Sequence, residues 1–384
     1  MSTIDGTPFI RRMFGCKDRV VPDGRTLGEV VADIVGEQCG GHAAVWDGFC
    51  GSAYCGMIFK RRGFRVVSSD IRPSAWLRGS ALVQANSPAI SASEAEELAK
   101  ASPKAKGWFT ANKLPLINAN NAAWLDAMAE VLPGLSVNAQ TAVAMGINWA
   151  VETLLQRGSR FLHIKYSLYD DILCGGWHMR DKSLAAEWLR FMVEDYPKLL
   201  SDNGKHNECH MGDTVALASG IVADAAYFDP PYAAQFSSYQ GNYDIVDDWP
   251  GILLGKALPP EPEGKPHLRF SSPESAVASF ATLMERARHI PLWVISYSDS
   301  DTMRVSPEEI AFLAEAEGRA TEILRFPFPR ARVIKGQSGV NYNECIISCR
   351  AGLSGKPSRK KDDHVPGLAG AGPGNRNQNK KGDA

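Results

Sequence analysis

An acid, two prolines and an aromatic residue follow a short apolar run, in the order Asp229-Pro230-Pro231-Tyr232. Prolines end a strand and fix the direction of the backbone, so the carbonyl groups around them lack strand partners. The segment therefore offers a rigid set of acceptors, one carboxylate and backbone oxygens, beside an aromatic ring. Such a set suits a planar exocyclic amine, because acceptors on its hydrogens favour the positive charge that develops during attack. A proline turn capped by Asp229 is the alternative interpretation.

A second candidate site is the glycine turn "WDGFCGSAYCG", residues 46–56. An apolar run ends there, Gly51 turns the chain, and Ser52 opens a helix whose N-terminal N–H groups can face a ligand. Asp70 ends the next apolar run, 21 residues after Phe49, and an acid at that place commonly binds two ribose hydroxyls. The turn lacks a complete G-x-G-x-x-G pattern, so by itself it fits a structural strand–helix connection equally well.

The elements that must position these motifs alternate along the chain between apolar runs and segments of helical spacing. The predicted strands are 43–49, 64–70, 223–229, 291–298, 320–326 and 344–349, and the predicted helices are 27–38, 52–63, 273–289 and 306–318. This order predicts an open, mostly parallel α/β sheet. Ligands bind beyond the carboxyl ends of such strands, so we expect Asp70, Asp229 and the turn after Phe49 to meet at one edge.

The segment between the two halves, residues 75–204, has a mostly helical pattern and is too long for a connection, which predicts an inserted subdomain. The last residues, 355–384, are rich in glycine, proline and lysine and predict a disordered basic tail.

Composition limits the class of protein. With 384 residues and 44% hydrophobic content, the chain can bury one large or two moderate cores. Its formal net charge of -1 requires any nucleic-acid site to be a local basic patch. The eight cysteines are scattered, no apolar run is long enough to span a membrane, and we expect no signal peptide at the start. We therefore expect a soluble cytoplasmic protein with no membrane association.

Taken together, the motifs resemble the DNA adenine methylase family, which methylates the exocyclic N6 of adenine. "DPPY" is similar to that family's catalytic tetrad and "FCGS" to its cofactor loop, although Ala53 stands where a second glycine is usual. "TPFIRRMFGCKDRV", "MGDTVAL", "ISYSDSDT" and "SGVNYNECIIS" resemble further family motifs. The resemblance implies a Rossmann-like methyltransferase sheet, formed by residues 8–74 and 205–350, with 75–204 as an inserted helical target-recognition subdomain.

The resemblance also implies a role for each matching residue. Asp229 and the backbone at Pro230 would accept hydrogen bonds from the amine of a flipped-out adenine, in a tetrad completed by Pro231 and Tyr232, whose ring would stack on the base. The cofactor would be S-adenosyl-L-methionine. Its implied contacts are Met13, Lys17, Phe49, Gly51, Ser52, Asp70, Asp213 and Asp229. Double-stranded DNA is the implied partner, and no metal is required.

Several alternatives stay open. A cytosine-C5 enzyme needs a Pro-Cys nucleophile, which this sequence lacks. A cytosine-N4 enzyme uses the same amine chemistry, often with serine before the two prolines, so Asp229 favours adenine without excluding cytosine. RNA or protein-amide methyltransferases more often have asparagine there, and a non-catalytic DNA-binding protein could retain the fold. The sequence leaves open whether a cognate restriction nuclease exists.

DNA contacts and loops are less specific. Segments 100–113, 157–166 and 177–182 mix basic and aromatic residues, as phosphate and base contacts would require, but solvated surfaces look the same. Residues 237–249 predict a loop that closes over the base. His206, Cys209 and His210 lack a fourth metal ligand, so we interpret them as a strand end.

Overall fold

In the part of the chain that the structure describes, the strands form a seven-stranded mixed sheet and a separate short hairpin. The computed structural model describes residues 2–4, 7–9, 17–112, 117–155, 182–232, 244–255, 269–270, 273–300, 303–328 and 342–352. The strands are β1 (Ser2–Ile4), β2 (Thr7–Phe9), β3 (Ala44–Asp47), β4 (Arg65–Asp70), β5 (Glu208–Met211), β6 (Ala225–Phe228), β7 (Leu292–Ser298), β8 (Arg319–Phe328) and β9 (Tyr342–Ala351). The hairpin pairs β1 with β2, and the predicted tail, 355–384, lies outside the described residues.

The large sheet has the strand order β5-β4-β3-β6-β7-β9-β8. The first five strands run parallel to one another, whereas β9 lies antiparallel between β7 and β8. The predicted open, mostly parallel α/β sheet is therefore confirmed. Because parallel strands end at the same edge, the carboxyl ends of β3, β4, β5 and β6 face one region.

Helices cover the sheet and make up much of the described chain between β4 and β5. They are α1 (Leu27–Cys39), α2 (Tyr54–Arg61), α3 (Pro73–Arg78), α4 (Ala92–Ala99), α5 (Trp108–Asn112), α6 (Ala119–Val131), α7 (Val137–Leu155), α8 (Leu184–Arg190), α9 (Tyr196–Leu199), α10 (Thr214–Leu217), α11 (Asp244–Leu253), α12 (Pro273–Arg286) and α13 (Pro307–Ala316). Single π-helical turns, Gly79–Gln84 and Phe191–Asp195, extend α3 and α8. Within the described ranges, no helix has the length and apolarity to cross a membrane.

Local chemistry explains where these helices begin. Thr26 and Glu29 form a reciprocal capping box that starts α1 at the predicted residue. Helix α2 begins at Tyr54, two residues later than predicted, because Ala53 adopts a left-handed conformation with φ 63°. A residue in that conformation cannot continue a right-handed helix.

Two hydrophobic clusters hold the sheet between layers of helices. Neighbouring residues of a strand point to opposite faces, so Val45 joins one cluster and Trp46 the other. The first cluster also contains Trp149 and Trp188 from α7 and α8, within the segment predicted to be inserted. The second cluster packs α12 and α13 against the other face. Helices α7 and α8 thus share a hydrophobic core with the sheet.

Candidate active site

Three acids lie at the carboxyl edge of neighbouring parallel strands. Asp47 ends β3, Asp70 ends β4, and Asp229 follows β6 directly. The turn after β3 is joined to both neighbours, since the Gly48 N–H donates to the Tyr227 carbonyl at 3.0 Å and the Cys50 N–H to the Ser69 carbonyl at 3.0 Å. The structure therefore brings Asp70, Asp229 and the glycine turn to one edge, as the alternation of elements predicted.

The glycine turn is held by Asp70 in a conformation that brings its backbone to the edge. Gly51 has φ 48°, in the left-handed region that glycine adopts without steric penalty. Its N–H donates to Asp70 Oδ2 at 3.0 Å, and the Arg72 N–H donates to Oδ1 at 2.9 Å. Burial raises the pKa of Asp70, and these N–H donors oppose the rise. Each carboxylate oxygen thus anchors one strand end.

The remaining side chains of the turn have structural contacts. Phe49 packs edge-on against Phe270 at 5.2 Å and Phe228 at 6.4 Å between ring centroids. Ser52 is buried, and its hydroxyl accepts a hydrogen bond from the Tyr54 N–H at 3.4 Å. Side-chain packing and a side-chain hydrogen bond therefore hold the turn in place, in addition to its backbone hydrogen bonds.

A buried lysine joins the tetrad to a residue of β9. Lys17 is 3% exposed, and its Nζ lies 2.9 Å from Asp229 Oδ1 and 2.8 Å from Glu344 Oε1. Burial alone would lower the pKa of Lys17, but the two carboxylates outweigh burial and raise it above the ordinary lysine value. Burial raises the pKa of Asp229 to about 6, with Lys17 opposing and Glu344 adding to the rise.

Tyr232 enters the same cluster through its hydroxyl. The hydroxyl accepts from Lys17 Nζ at 2.8 Å, donates to Glu344, and lies 3.3 Å from Asp229 Oδ1. Its ring packs against Tyr297 with centroids 4.8 Å apart and planes inclined by 51°. Burial raises the pKa of Tyr232 and the nearby carboxylates add to it, so the hydroxyl keeps its proton. Charges therefore hold one end of the ring and an aromatic neighbour holds its face.

Two residues of this edge had no predicted role. Glu344 is 5% exposed and comes directly before the apolar run of residues 345–347 in β9, which was the available sequence signal. Asp47 is 1% exposed, and its Oδ2 has no hydrogen-bond partner among the described residues. Burial raises the pKa of Asp47 to about 8, and Asp229 and Asp70 add to the rise. The signal for Asp47 was an acid at a buried strand end directly before the glycine turn.

The other predicted cofactor contacts lie at or near this edge where the structure describes them. Asp213 follows β5, caps α10 by accepting from the Val215 N–H at 3.2 Å, and lies 3.4 Å from Arg269 Nη1. The adjacent Gly212 N–H donates to the Asp70 carbonyl at 2.9 Å, which places Asp213 beside the end of β4. Of the tetrad prolines, Pro230 is buried and Pro231 half-buried. Met13 lies outside the described residues.

The predicted loop after the tetrad is partly helical. Residues from Asp244 onward form α11, so the prediction of a loop through residue 249 is wrong for that part. Asp247 caps α3 from a distance, accepting from the Ser74 N–H at 3.2 Å and from Arg72 Nη2 at 2.7 Å. Trp249 is buried against Phe109 with ring centroids 5.2 Å apart. These tertiary contacts stabilise a helix that the polar sequence did not predict.

The predicted DNA-contact segments are described only in part. In segment 100–113, Lys104 is exposed and Trp108 is 39% exposed, edge-on to the buried Phe109. Segment 157–166 lies outside the described residues, as does segment 177–182 apart from its last residue, Lys182, which is exposed.

His206, Cys209 and His210 lie in or just before β5, and the two histidines contact an acid of that strand. His206 and His210 lie 3.5 and 3.3 Å from the carboxylate of Glu208. The Cys209 Sγ lies 3.6 Å from the Trp76 carbonyl. In the part of the chain that the structure describes, no group of histidine, cysteine and acidic residues could hold a metal ion.

Comparison with known proteins gives one informative similarity. No protein-family model matches the chain. The chain is 23% identical over 290 residues to the Type II methyltransferase M2.HphI of Haemophilus parahaemolyticus, an alignment that covers 73% of this chain and 83% of the relative. With the seven-stranded, mostly parallel sheet, this similarity supports a Rossmann-like methyltransferase fold and a relationship to Type II methyltransferases.

Proposed function

We propose that the chain is a site-specific DNA methyltransferase that transfers a methyl group from S-adenosyl-L-methionine to the N6 amine of a flipped-out adenine. The similarity to a Type II methyltransferase supports the general reaction. The observation that carries the adenine assignment is Asp229, placed in the Asp-Pro-Pro-Tyr tetrad at the carboxyl edge of the sheet beside the glycine turn. In this proposal, residues 8–74 and 205–350 form the catalytic domain and 75–204 recognise the target.

The residues at this edge fit a cofactor that carries positive charge. Asp47 presents a buried carboxyl oxygen without a hydrogen-bond partner among the described residues, and a nearby positive charge would lower its raised pKa and keep it ionised. Lys17 balances only one of the two carboxylates that it contacts. Gly51 has no side chain to keep a ligand from the backbone, and the oxygens of Asp70 can accept from ribose hydroxyls. When bound, S-adenosyl-L-methionine supplies an electrophilic methyl group on a sulfonium, which departs as a neutral thioether.

Asp229 would stabilise the amine as it reacts. With a pKa of about 6, Asp229 is ionised at neutral pH and can accept a hydrogen bond from the exocyclic N–H. The nitrogen gains positive charge as its lone pair forms the bond to carbon, so a fixed carboxylate stabilises the transition state more than the ground state. The same carboxylate can take the proton that the methylated amine loses. Pro230 and Pro231 hold it in place, and Tyr232 offers aromatic surface to the base.

DNA binding would rest on phosphate contacts away from the tetrad. The exposed Lys104, near the half-exposed Trp108, is a candidate for such a contact. Trp108 packs on Phe109, which contacts Trp249 of α11, so this surface is joined to the helix that follows the tetrad.

The test is to identify the methylated base. Purified protein is incubated with labelled S-adenosyl-L-methionine and double-stranded DNA of varied sequence, and the DNA is digested to nucleosides. We expect label in N6-methyldeoxyadenosine. Label in N4-methyldeoxycytidine alone would contradict the adenine assignment, and label confined to added RNA would contradict the DNA assignment.

A pair of variants ties the activity to the tetrad. Asp229→Asn should reduce the rate of methyl transfer about 10²–10³-fold, as expected when one preorganised charge is lost. Asp224→Asn is the matched control, because Asp224 precedes the same strand at its other end and is exposed. Its contact with the Ala44 N–H, 2.8 Å long, is one that asparagine can keep. Equal rates for the two variants would show that Asp229 has no part in the chemistry.

A further inference from the structure

We propose that Glu344 is a positioning residue for the methyl transfer: it draws the Lys17 ammonium and the Tyr232 proton away from Asp229, which leaves Asp229 free to accept from the target amine. The inference rests on the proposed function and assigns a role to a strand acid outside the tetrad and the glycine turn.

The position of Glu344 is rigid. It lies on β9, which is hydrogen-bonded on both sides, and its register partners are Ser298 of β7 and Phe326 of β8. Its side chain is 6% exposed. Because the sheet holds this carboxylate in one position, it can bind and orient groups that come from less regular segments. Lys17 precedes α1, and Tyr232 follows the two prolines of the tetrad.

One oxygen of Glu344 receives two groups that would otherwise act on Asp229. Oε1 lies 2.8 Å from Lys17 Nζ and accepts the Tyr232 hydroxyl proton. Both donors also lie near the Oδ1 of Asp229, Lys17 at 2.9 Å and the Tyr232 hydroxyl at 3.3 Å. A tyrosine hydroxyl has a single proton, so the proton given to Glu344 is withheld from Asp229. Without Glu344, that proton and the full charge of Lys17 would compete with the amine for the Asp229 carboxylate.

The charges around Asp229 support this role. The titratable groups that face it are Lys17, Glu344, Tyr232, Asp47 and Tyr227. Lys17 lowers the pKa of Asp229 and Glu344 raises it. Neutralising Glu344 should therefore lower the pKa of Asp229 and weaken it as an acceptor. The acid limb of the rate profile reports this electrostatic coupling, and the plateau rate reports its effect on the reaction.

Glu344→Gln tests the proposal with single-turnover methyl transfer measured across pH at saturating cofactor. We expect a plateau rate about 10- to 100-fold lower, by analogy with the outer-shell residues that orient metal ligands. We also expect the acid limb of the profile, where Asp229 becomes protonated, to move to lower pH. Cofactor affinity is measured by calorimetry on the same variant, so that an indirect effect through Lys17, an implied cofactor contact, is separated from the effect on the rate.

Glu322→Gln is the matched control, because Glu322 lies on the adjacent β8 and its side chain is 62% exposed. It should keep the wild-type profile. Suppose that the wild type and this control transfer methyl groups, and that Glu344→Gln shows the same plateau rate and the same acid limb. The role of Glu344 is then refuted, while the proposed function stands. If neither wild type nor control transfers methyl groups, the proposed function itself fails, and the role of Glu344 fails with it.

Glu344→Asp covers the case in which Glu344→Gln does not fold. It keeps the negative charge beside Lys17 but withdraws the carboxylate by one methylene from the Lys17 ammonium and the Tyr232 hydroxyl, so the fold should persist by circular dichroism. We expect a plateau rate about tenfold lower, at the smaller end of the range for Glu344→Gln, with the acid limb at lower pH. A wild-type plateau and acid limb for a folded Glu344→Asp would overturn the proposal.

Discussion

Replacing Lys17 with methionine should destabilise the fold more than neutralising either of its acidic partners. Methionine has a similar length and no charge, so the change removes the ammonium without leaving a large cavity. Asp229 and Glu344, with side chains 17% and 6% exposed, would then face each other without the cation that contacts both. Removing one partner from a buried ion pair typically costs about 3–5 kcal/mol, because the charge left behind stays desolvated.

The distances show why the net effect should fall in that range. Two unit charges 2.9 Å apart attract by about 6 kcal/mol at an effective dielectric constant of 20. Lys17 makes two such contacts, but the carboxylates repel each other and the buried ammonium pays a desolvation penalty of several kcal/mol. By contrast, Asp229→Asn and Glu344→Gln each leave Lys17 paired with one carboxylate. Each should destabilise by about 1.5–3 kcal/mol, the range for a hydrogen bond to a charged group.

The direction in which the stability deficit of Lys17→Met changes with pH can also be predicted. In the wild type, the folded pKa of Lys17 is raised, so its stabilisation is fully present below the unfolded lysine pKa and is lost only at strongly alkaline pH. In Lys17→Met, the pKa of Asp229, already about 6, should rise further because Lys17 no longer lowers it. A carboxyl with a raised folded pKa favours the folded state more as pH falls through that pKa. The deficit of Lys17→Met should therefore be smaller at pH 5 than at pH 8.

Urea unfolding followed by circular dichroism, at several pH values between 5 and 8, measures both effects. Glu322→Gln serves again as an exposed control and should match the wild type throughout. The reasoning is refuted if Lys17→Met is as stable at pH 8 as Asp229→Asn and Glu344→Gln, or if its deficit is the same at both ends of the pH range.

The remaining predictions concern the glycine turn. Asp70→Asn should weaken binding of S-adenosyl-L-methionine by about 1.5–3 kcal/mol for each ribose hydrogen bond lost, and unchanged affinity by calorimetry would mean that Asp70 is not the ribose acceptor. Ala53→Gly should change the midpoint of thermal unfolding only slightly, because relief of about 1–2 kcal/mol of left-handed strain is offset by the entropy that glycine adds to the unfolded chain. Ala53→Val, which puts a branched side chain in that buried, left-handed position, should lower the midpoint clearly, and a midpoint equal to the wild type would contradict the strained geometry.

Much of the sheet and of the candidate functional edge could be predicted because their sequence signals are local. Apolar runs that end in Asp70 and Asp229 are strands whose last residues must lie at the carboxyl edge of a parallel sheet. A glycine between a strand and a helix likewise predicts the tight turn at Gly51. These inferences need only the spacing of residues within about 30 positions, and the structure places all three residues together.

The contacts that complete the site could not be predicted in the same way. Lys17 and Glu344 are joined by a salt bridge between the two ends of the chain, and the pairing exists only because β9 lies between β7 and β8. The cap of α3 depends on Asp247, which comes from another helix. No rule of residue spacing links such pairs. The antiparallel position of β9 and the docking of α11 depend on the packing of the whole core, not on the local sequence.

At this edge one lysine, Lys17, contacts two acids, Asp229 and Glu344, and this arrangement has a physical rationale. Without Lys17, burial would raise the pKa of Asp229 well above its value of about 6, and a protonated acid is a weaker acceptor that carries no negative charge to stabilise the amine. Paired with Lys17 alone, Asp229 would be ionised but its charge would be largely neutralised. Glu344 shares the same ammonium, so Asp229 stays ionised at neutral pH and keeps enough negative charge to stabilise the reacting nitrogen. In our proposal, the catalytic strength of the tetrad is therefore set by two residues outside it, Lys17 and Glu344.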